Sequence, residues 1–290
     1  MHELHYESPT SIAEAIRLLA EEPGAHILSG GTDLLIQLRN GRLPATRLVI
    51  DAKRIDELTE IQWDEDEDEG LRIGAAVSCR RLITAPEVVR RYPGLAEAAA
   101  LIGSRQIQSR ASLGGNLCNG SPAADTIPAL IALGARAVVA GTGGRRELPV
   151  EEFVTAPGRN ALGEGEILAQ LFVPAVAAGT ADAYQRFTPR NEMDIAVVGV
   201  AASVTVDKGQ CIEARIALGA VGPTPLVAEE AAAELVGGAI DETRLEKAAR
   251  AAREAARPIS DKRGSATYRR QLVHTLSRRT ITAAARRAGA

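Results

Sequence analysis

The chain has 290 residues, 46% hydrophobic and 24% charged, which is ordinary for a soluble globular protein and enough for two or three packed subdomains. A net charge of -3 argues against a nucleic-acid partner, because phosphate backbones are held by a surplus of Lys and Arg. No apolar run is long enough to span a bilayer and Met1–Pro9 lacks the layout of a secretion signal, so the expected location is cytoplasmic.

In chain order, Ser11 is a candidate N-cap with Glu14 completing a capping box. Ile12, Ile16 and Leu19 form an apolar stripe at helical spacing, and Pro23-Gly24 stops that helix. Ala25–Leu28 reads as a short buried strand, Leu34–Asn40 as a helix ending at Gly41, and Arg47–Asp51 as a further strand. Ile61–Trp63 and Leu71–Ile73 flank the acidic run Asp64–Glu69, which reads as a hydrated hairpin turn because dense like charges repel and stay solvated. Helices are expected near Arg80–Ala85, Gly94–Ile102 and Ile127–Leu133, then a strand at Ala137–Ala140 and a hairpin turn at Gly141-Thr142-Gly143-Gly144. Val176–Ala183 is small and Gly/Ala-rich and reads as a linker. Beyond it, Val197–Val206 and Cys211–Leu218 read as paired strands joined by Asp207-Lys208-Gly209. Gly219–Pro225 is a loop, and two long helices, Asp241–Ala256 and about Ser265–Arg287, end the chain. Arg278, Arg279, Arg286 and Arg287 read as a solvated helix face, with docking to an acidic partner as the alternative.

Cys79, Cys118 and Cys211 are far apart, so neither an iron–sulfur cluster nor a disulfide framework is expected. His2, His5, His26 and His274 show no ligand spacing, and no metal site is expected. Any redox centre must then be an organic cofactor or belong to another chain.

Two segments share a pattern: Ser29-Gly30-Gly31-Thr32-Asp33 and Ser112-Leu113-Gly114-Gly115-Asn116. Glycine pairs let the backbone take positive φ and bring N–H groups against an anion, and Ser, Thr and Asn add neutral donors. Two such nests could close on the phosphates of one dinucleotide that no lysine or metal holds. Asp125, nine residues past Asn116, could accept hydrogen bonds from ribose or ribityl hydroxyls.

Taken together, Leu28-Ser29-Gly30-Gly31-Thr32-Asp33-Leu34-Leu35, Gly103-Ser104-Arg105-Gln106-Ile107, Ala111-Ser112-Leu113-Gly114-Gly115-Asn116-Leu117, Ser121-Pro122-Ala123-Ala124-Asp125 and Met193-Asp194-Ile195-Ala196 resemble the FAD-binding medium subunits of the molybdenum hydroxylases. These are the flavin chains of xanthine, aldehyde and carbon monoxide dehydrogenases. The resemblance implies an α+β, vanillyl-alcohol-oxidase (PCMH-type) FAD fold of two lobes, residues 1–57 and 58–177. A C-terminal sheet-plus-helices domain would follow over 178–290. It implies that Ser29–Asp33 and Ser112–Asn116 bind the diphosphate, flanked by Leu28, Leu34 and Ala111, and that Asp125 holds FAD hydroxyls. It also places Ile102 beside the adenine and Leu168 against the flavin ring. Arg186 is either a cation near the isoalloxazine or a surface salt-bridge residue, and Cys118 either a redox-sensitive thiol or a small apolar filler.

Thr32 and Asp33 stand where some oxidases of this fold attach FAD through a histidine, and His26 reads as a core or edge residue, so FAD is expected to be non-covalent. The cysteine-bearing insertion of the 4-hydroxybenzoyl-CoA-reducing relatives is absent. The implied partners are a large molybdenum-cofactor subunit, a small two-cluster iron–sulfur subunit and an acceptor such as NAD+ or quinone. Two rivals stand beside this reading. One is a self-contained flavin oxidase using Glu192 or Asp194 as base, and the other a flavin-free assembly subunit.

Overall fold

A computed structural model describes residues 4–64 and 70–290. The N-terminal unit is a parallel three-stranded sheet in the order β1 (His5–Glu7), β3 (Leu48–Asp51), β2 (His26–Leu28). α1 (Ile12–Glu21) links β1 to β2, and α2 (Leu34–Arg39) links β2 to β3. The Oγ of Ser11 accepts from the Glu14 N–H at 3.2 Å, and the Glu14 carboxylate reaches back to the Thr10 N–H at 3.2 Å. The cap therefore forms with its return bond one residue early. Gly24 closes the helix at φ +93°. The stripe on α1 packs with Ile50 and Leu58 and also with Ala140, Ile167 and Ala169 of the next sheet, so the first two units share a core. Complete burial of a side chain such as Ile50 stabilises by about 1.5–3 kcal/mol. β1 falls in a segment too short and too polar to show periodicity.

After α3 (Asp56–Thr59), the second unit is built on an antiparallel sheet. β4 (Ile61–Asp64) and β5 (Gly70–Gly74) form one end of it. The expected acidic turn between them, residues 65–69, lies outside the described residues. Six helices follow, namely α4 (Cys79–Ile83), α5 (Pro86–Arg91), α6 (Pro93–Ala100), α7 (Arg105–Gln108), α8 (Leu113–Asn119) and α9 (Thr126–Ala132). β6 (Arg136–Gly141) and β7 (Gly144–Pro149) make the hairpin expected at 141–144. Then α10 (Val150–Phe153) leads to a two-stranded pair, β8 (Val154–Ala156) and β9 (Arg159–Asn160), and to β10 (Ile167–Val173). The sheet order is β4-β5-β10-β6-β7, which puts β10 at its centre.

The third unit begins at β11 (Thr180–Phe187), so the linker expected at Val176–Ala183 is shorter than its composition suggested. Small residues here are strand residues: Ala181 and Ala183 are buried where neighbouring layers press close. β11 pairs with β12 (Val198–Asp207), β12 with β13 (Gln210–Gly219), and β13 with β14 (Leu226–Val227). The remaining helices are α11 (Glu229–Ala233), α12 (Glu242–Ala255) and α13 (Ala266–Ala288). Val198, Val200, Ala202 and Val204 pack with Val273, Leu276 and Ile281 of α13, whereas Tyr184, Ala201 and Ala217 join the core of the second unit. A sheet buried on both faces explains the nearly continuous apolar run in β12.

Candidate functional site

The two glycine loops meet. Ser29 follows β2 and Ser112 precedes α8, and their hydroxyl oxygens lie 2.8 Å apart. Gly30 makes that approach possible: a Cβ on it would sit 2.1 Å from the Arg110 carbonyl oxygen and 2.9 Å from Ala111 Cα. Gly31 is left-handed, with φ +76°.

The second loop corrects the expectation of paired left-handed nests. Gly30, Gly114 and Gly115 do not take positive φ. Gly114 and Gly115 occupy the first turn of α8, where Ser112 is the N-cap and its Oγ accepts from the Gly115 N–H at 3.0 Å. A first helical turn already presents N–H groups that lack intrahelical partners, so positive φ is not needed. The glycines serve close packing instead. A Cβ on Gly114 would meet the Ala75 carbonyl oxygen at 2.4 Å, whereas one on Gly115 would meet only Ser112 Oγ, at 2.9 Å.

Beneath the junction is a cavity of about 270 Å³. Of the residues expected at the site, Ser29, Gly114, Gly115, Cys118 and Leu168 line it. Leu168 is buried on β10, at an irregularity in the β10–β6 pairing. Leu28, Gly30, Gly31, Thr32, Asp33, Leu34, Ala111, Ser112 and Asn116 belong to the two loops but do not line the cavity. Asn116 Oδ1 accepts from Thr126 Oγ1 at 2.7 Å, which joins α8 to α9. Ile102 packs half-buried against the core of the second unit, outside the cavity. Met193 and Ile195 are exposed, with Met193 at φ +52°.

Several residues at the site were not foreseen. Lys53 Nζ donates to the Ser29 carbonyl at 3.3 Å and to Asp51 Oδ1 at 2.6 Å, so a lysine does stand at the first loop. Burial would raise the Asp51 carboxyl, but hydrogen bonds from Lys53 and Tyr6 outweigh it and hold the group below the usual range. His26 is on an edge strand, as one expectation had it, and also lines the cavity. Burial lowers its imidazole below the usual value, which favours the neutral ring. Asn160 and Glu166 line the cavity too, and both are engaged: Asn160 donates to the Cys118 carbonyl at 2.8 Å, and Glu166 pairs with Arg146.

Burial pushes the Cys118 thiol up to about 12, which makes it a poor nucleophile at neutral pH and favours the apolar-filler reading. Arg186 is neither at the cavity nor on the surface. Its side chain is 6% exposed and its Nη1 donates to Asp125 Oδ2 at 2.5 Å, while the Tyr184 hydroxyl donates to Asp125 Oδ1 at 2.7 Å. A larger depression of about 630 Å³ on α12, lined mainly by charged side chains, shares no residue with the loops. Among the described residues, no His, Cys, Asp and Glu cluster could hold a metal, and no helix is long and apolar enough to cross a membrane.

Residues 2–176 match the family described as FAD binding domain in molybdopterin dehydrogenase, and residues 182–284 match the CO dehydrogenase flavoprotein C-terminal domain. The xanthine dehydrogenase FAD-binding subunit of Escherichia coli O157:H7 is 33% identical over 98% of this chain and 97% of its own. The carbon monoxide dehydrogenase medium chain of Hydrogenophaga pseudoflava is 34% identical over 96% of each. A carbon monoxide dehydrogenase structure from the same organism superposes with a TM-score of 0.92 at 35% identity, covering 98% of both chains. Quinoline 2-oxidoreductase from Pseudomonas putida 86 superposes with a TM-score of 0.90 at 32% identity, again over 98% of both chains. These matches bear out the expected fold and cofactor. The chain belongs to the FAD-binding medium subunits of the molybdenum hydroxylases, an oxidoreductase family.

Proposed function

We propose that this chain is the flavin relay of a multi-chain molybdenum hydroxylase. In this reading it receives electrons from a small two-cluster iron–sulfur subunit, which a large molybdenum-cofactor subunit supplies. It passes them to NAD+, a quinone or a similar acceptor. The observation that carries the reading is the contact of Ser29 with Ser112 above the cavity.

The residues present fit FAD. Donors for a diphosphate converge from both loops: the one hydroxyl proton of the Ser29–Ser112 pair that is not shared between them, and the first-turn N–H groups of α8 other than that of Gly115, which Ser112 Oγ accepts. At Gly115 a Cβ would press only on Ser112 Oγ, at 2.9 Å. The cavity, about 270 Å³, falls just below the roughly 300–1,000 Å³ of ligand pockets, which suits one part of a long dinucleotide. Leu168 and Cys118 would give the ring an apolar wall, and Asp125 would accept from cofactor hydroxyls. When bound, the flavin converts between one- and two-electron transfer, and the protein positions the ring and keeps water from it.

Retention is read as non-covalent because Cys118 is too basic a thiol to attack the cofactor and Thr32 and Asp33 are not histidines; His26 is the histidine that lines the cavity, so release of free FAD by acid is the test. Three units are proposed, 1–57, 58–177 and 178–290. The first boundary crosses α3, whose Leu58 belongs to the N-terminal core, so that unit extends to about residue 60. Glu192 is exposed and neither Glu192 nor Asp194 lines the cavity, which favours the relay over the self-contained oxidase; Asp125 is likewise outside that lining and is assigned to a different part of the cofactor.

The purified chain should be yellow, and acid or heat should release free FAD. It should also copurify with a large and a small chain carrying molybdenum and iron. A colourless chain that cannot be reconstituted with FAD, or turnover of a simple substrate by this chain alone, overturns the proposal.

A further inference from the structure

Asp125 precedes α9 in the second unit, but both side chains that hold it come from β11 in the third. Tyr184 donates to Oδ1 and Arg186 to Oδ2, and Tyr184 is 3% exposed. The neighbouring strand leaves space for the phenol: a Cβ on Gly199 of β12 would lie 2.6 Å from the Tyr184 hydroxyl. The same loop is gripped at its other end. Ala220, left-handed at φ +64°, donates its N–H to the Pro122 carbonyl at 2.7 Å. The Ala220 carbonyl in turn accepts from buried Arg269, at 3.1 Å. Residues 122–125 are thus fixed at both ends by the C-terminal domain.

We infer that the C-terminal domain completes the cofactor site: Tyr184 and Arg186 are positioning residues that hold the Asp125 carboxylate in the rotamer that accepts the cofactor's hydroxyls. The inference rests on the proposed role of Asp125. Each carboxylate oxygen has two acceptor positions, and one donor on each leaves a second free. A buried carboxylate without these donors would gain a proton and turn one acceptor into a donor. Burial already raises the Asp125 carboxyl, and Arg186 and Tyr184 act against that rise. Among the described residues, these two are the charged and titratable groups that face it.

The test is FAD affinity of the full chain, read by flavin fluorescence between pH 5 and 8, with thermal unfolding of each variant as a control. Tyr184→Phe should weaken FAD about tenfold at pH 6 and move the acid limb of binding upward by about one pH unit. Arg186→Met should do so more strongly, and Arg186→Lys should restore part of the affinity. Asp125→Asn should bind FAD weakly with no acid limb. Where Tyr184→Phe proves unstable, Gly199→Ala keeps the hydroxyl but displaces it, and should give the same upward shift. Wild-type affinity and pH dependence in Tyr184→Phe and Arg186→Met, beside a defective Asp125→Asn, would reduce the pair to interdomain packing. Full FAD affinity in Asp125→Asn would instead remove the role of Asp125 itself.

Discussion

Ser29 and Ser112 are 83 residues apart in sequence and share a hydrogen bond of 2.8 Å between their hydroxyls. Ser112 also caps α8, so one oxygen links the start of a helix to the turn after β2. Ser112→Ala loses both bonds and should cost about 1–2 kcal/mol in urea unfolding. Ser29→Ala should cost less, because its partner keeps the cap. A double-mutant cycle should show coupling of about 0.5–1.5 kcal/mol, and additive costs would mean that the contact does not couple the loops.

The glycines of the two loops separate packing from binding. Gly30→Ala forces a methyl into backbone atoms 2.1 Å away, so the chain should unfold or lose its N-terminal unit. Gly115→Ala meets only a hydroxyl at 2.9 Å, and alanine favours a helix by up to about 1 kcal/mol over glycine. That hydroxyl is the Ser112 cap of α8, so the helix gain offsets the displaced cap only in part, and the unfolding midpoint without FAD should change far less than in Gly30→Ala while FAD affinity falls. Full FAD affinity in Gly115→Ala would show that this face does not meet the cofactor.

Sequence showed where the loops are, because Gly-Gly beside a small hydroxyl is a local signal. It did not show which glycine packs and which leaves space, since that depends on Arg110 and Ala75 arriving from elsewhere. Lys53 was hidden for the same reason: it reaches Ser29 only because β2 and β3 are neighbours. Arg186 was a candidate from the resemblance, but its pairing with Asp125 and the part played by Tyr184 were not legible, because the small residues before them resembled a linker and Asp125 is about 60 residues away. β10 is buried along its whole length, so it lacks the alternation that marks a half-exposed strand.

Cys118 lines the cavity with its thiol pushed up to about 12 by burial. Iodoacetamide at pH 8 should leave it unmodified in the folded chain for hours and label it promptly in urea, as peptide mapping would show. Cys118→Ala should keep FAD. Rapid native labelling would restore the reactive reading.

Asp182 provides a pH test that points opposite to most carboxylates. It is buried on β11, and Oδ2 accepts the Leu95 N–H at the start of α6 at 3.0 Å. Oδ1 has no hydrogen-bond partner among the described residues. Burial raises its carboxyl to about 6 from 3.8, against the N–H groups of Gly94 and Leu95 and the charge of Arg287, which lower it. The folded chain therefore binds a proton that the unfolded chain has released between about pH 4 and 6. Stability from this group is largest below that window, falls as pH rises through it, and levels off above about 6. The difference should be about 2–3 kcal/mol at most. Asp182→Asn keeps an acceptor for the helix N–H groups and cannot ionise. Urea unfolding of both proteins from pH 4.5 to 7.5 isolates the effect, since every other carboxylate is common to the pair. Relative to wild type, Asp182→Asn should gain stability as pH rises to about 6, then run parallel. A constant difference across that range would mean that Asp182 is ionised throughout, with water or Arg287 supplying what Oδ1 lacks.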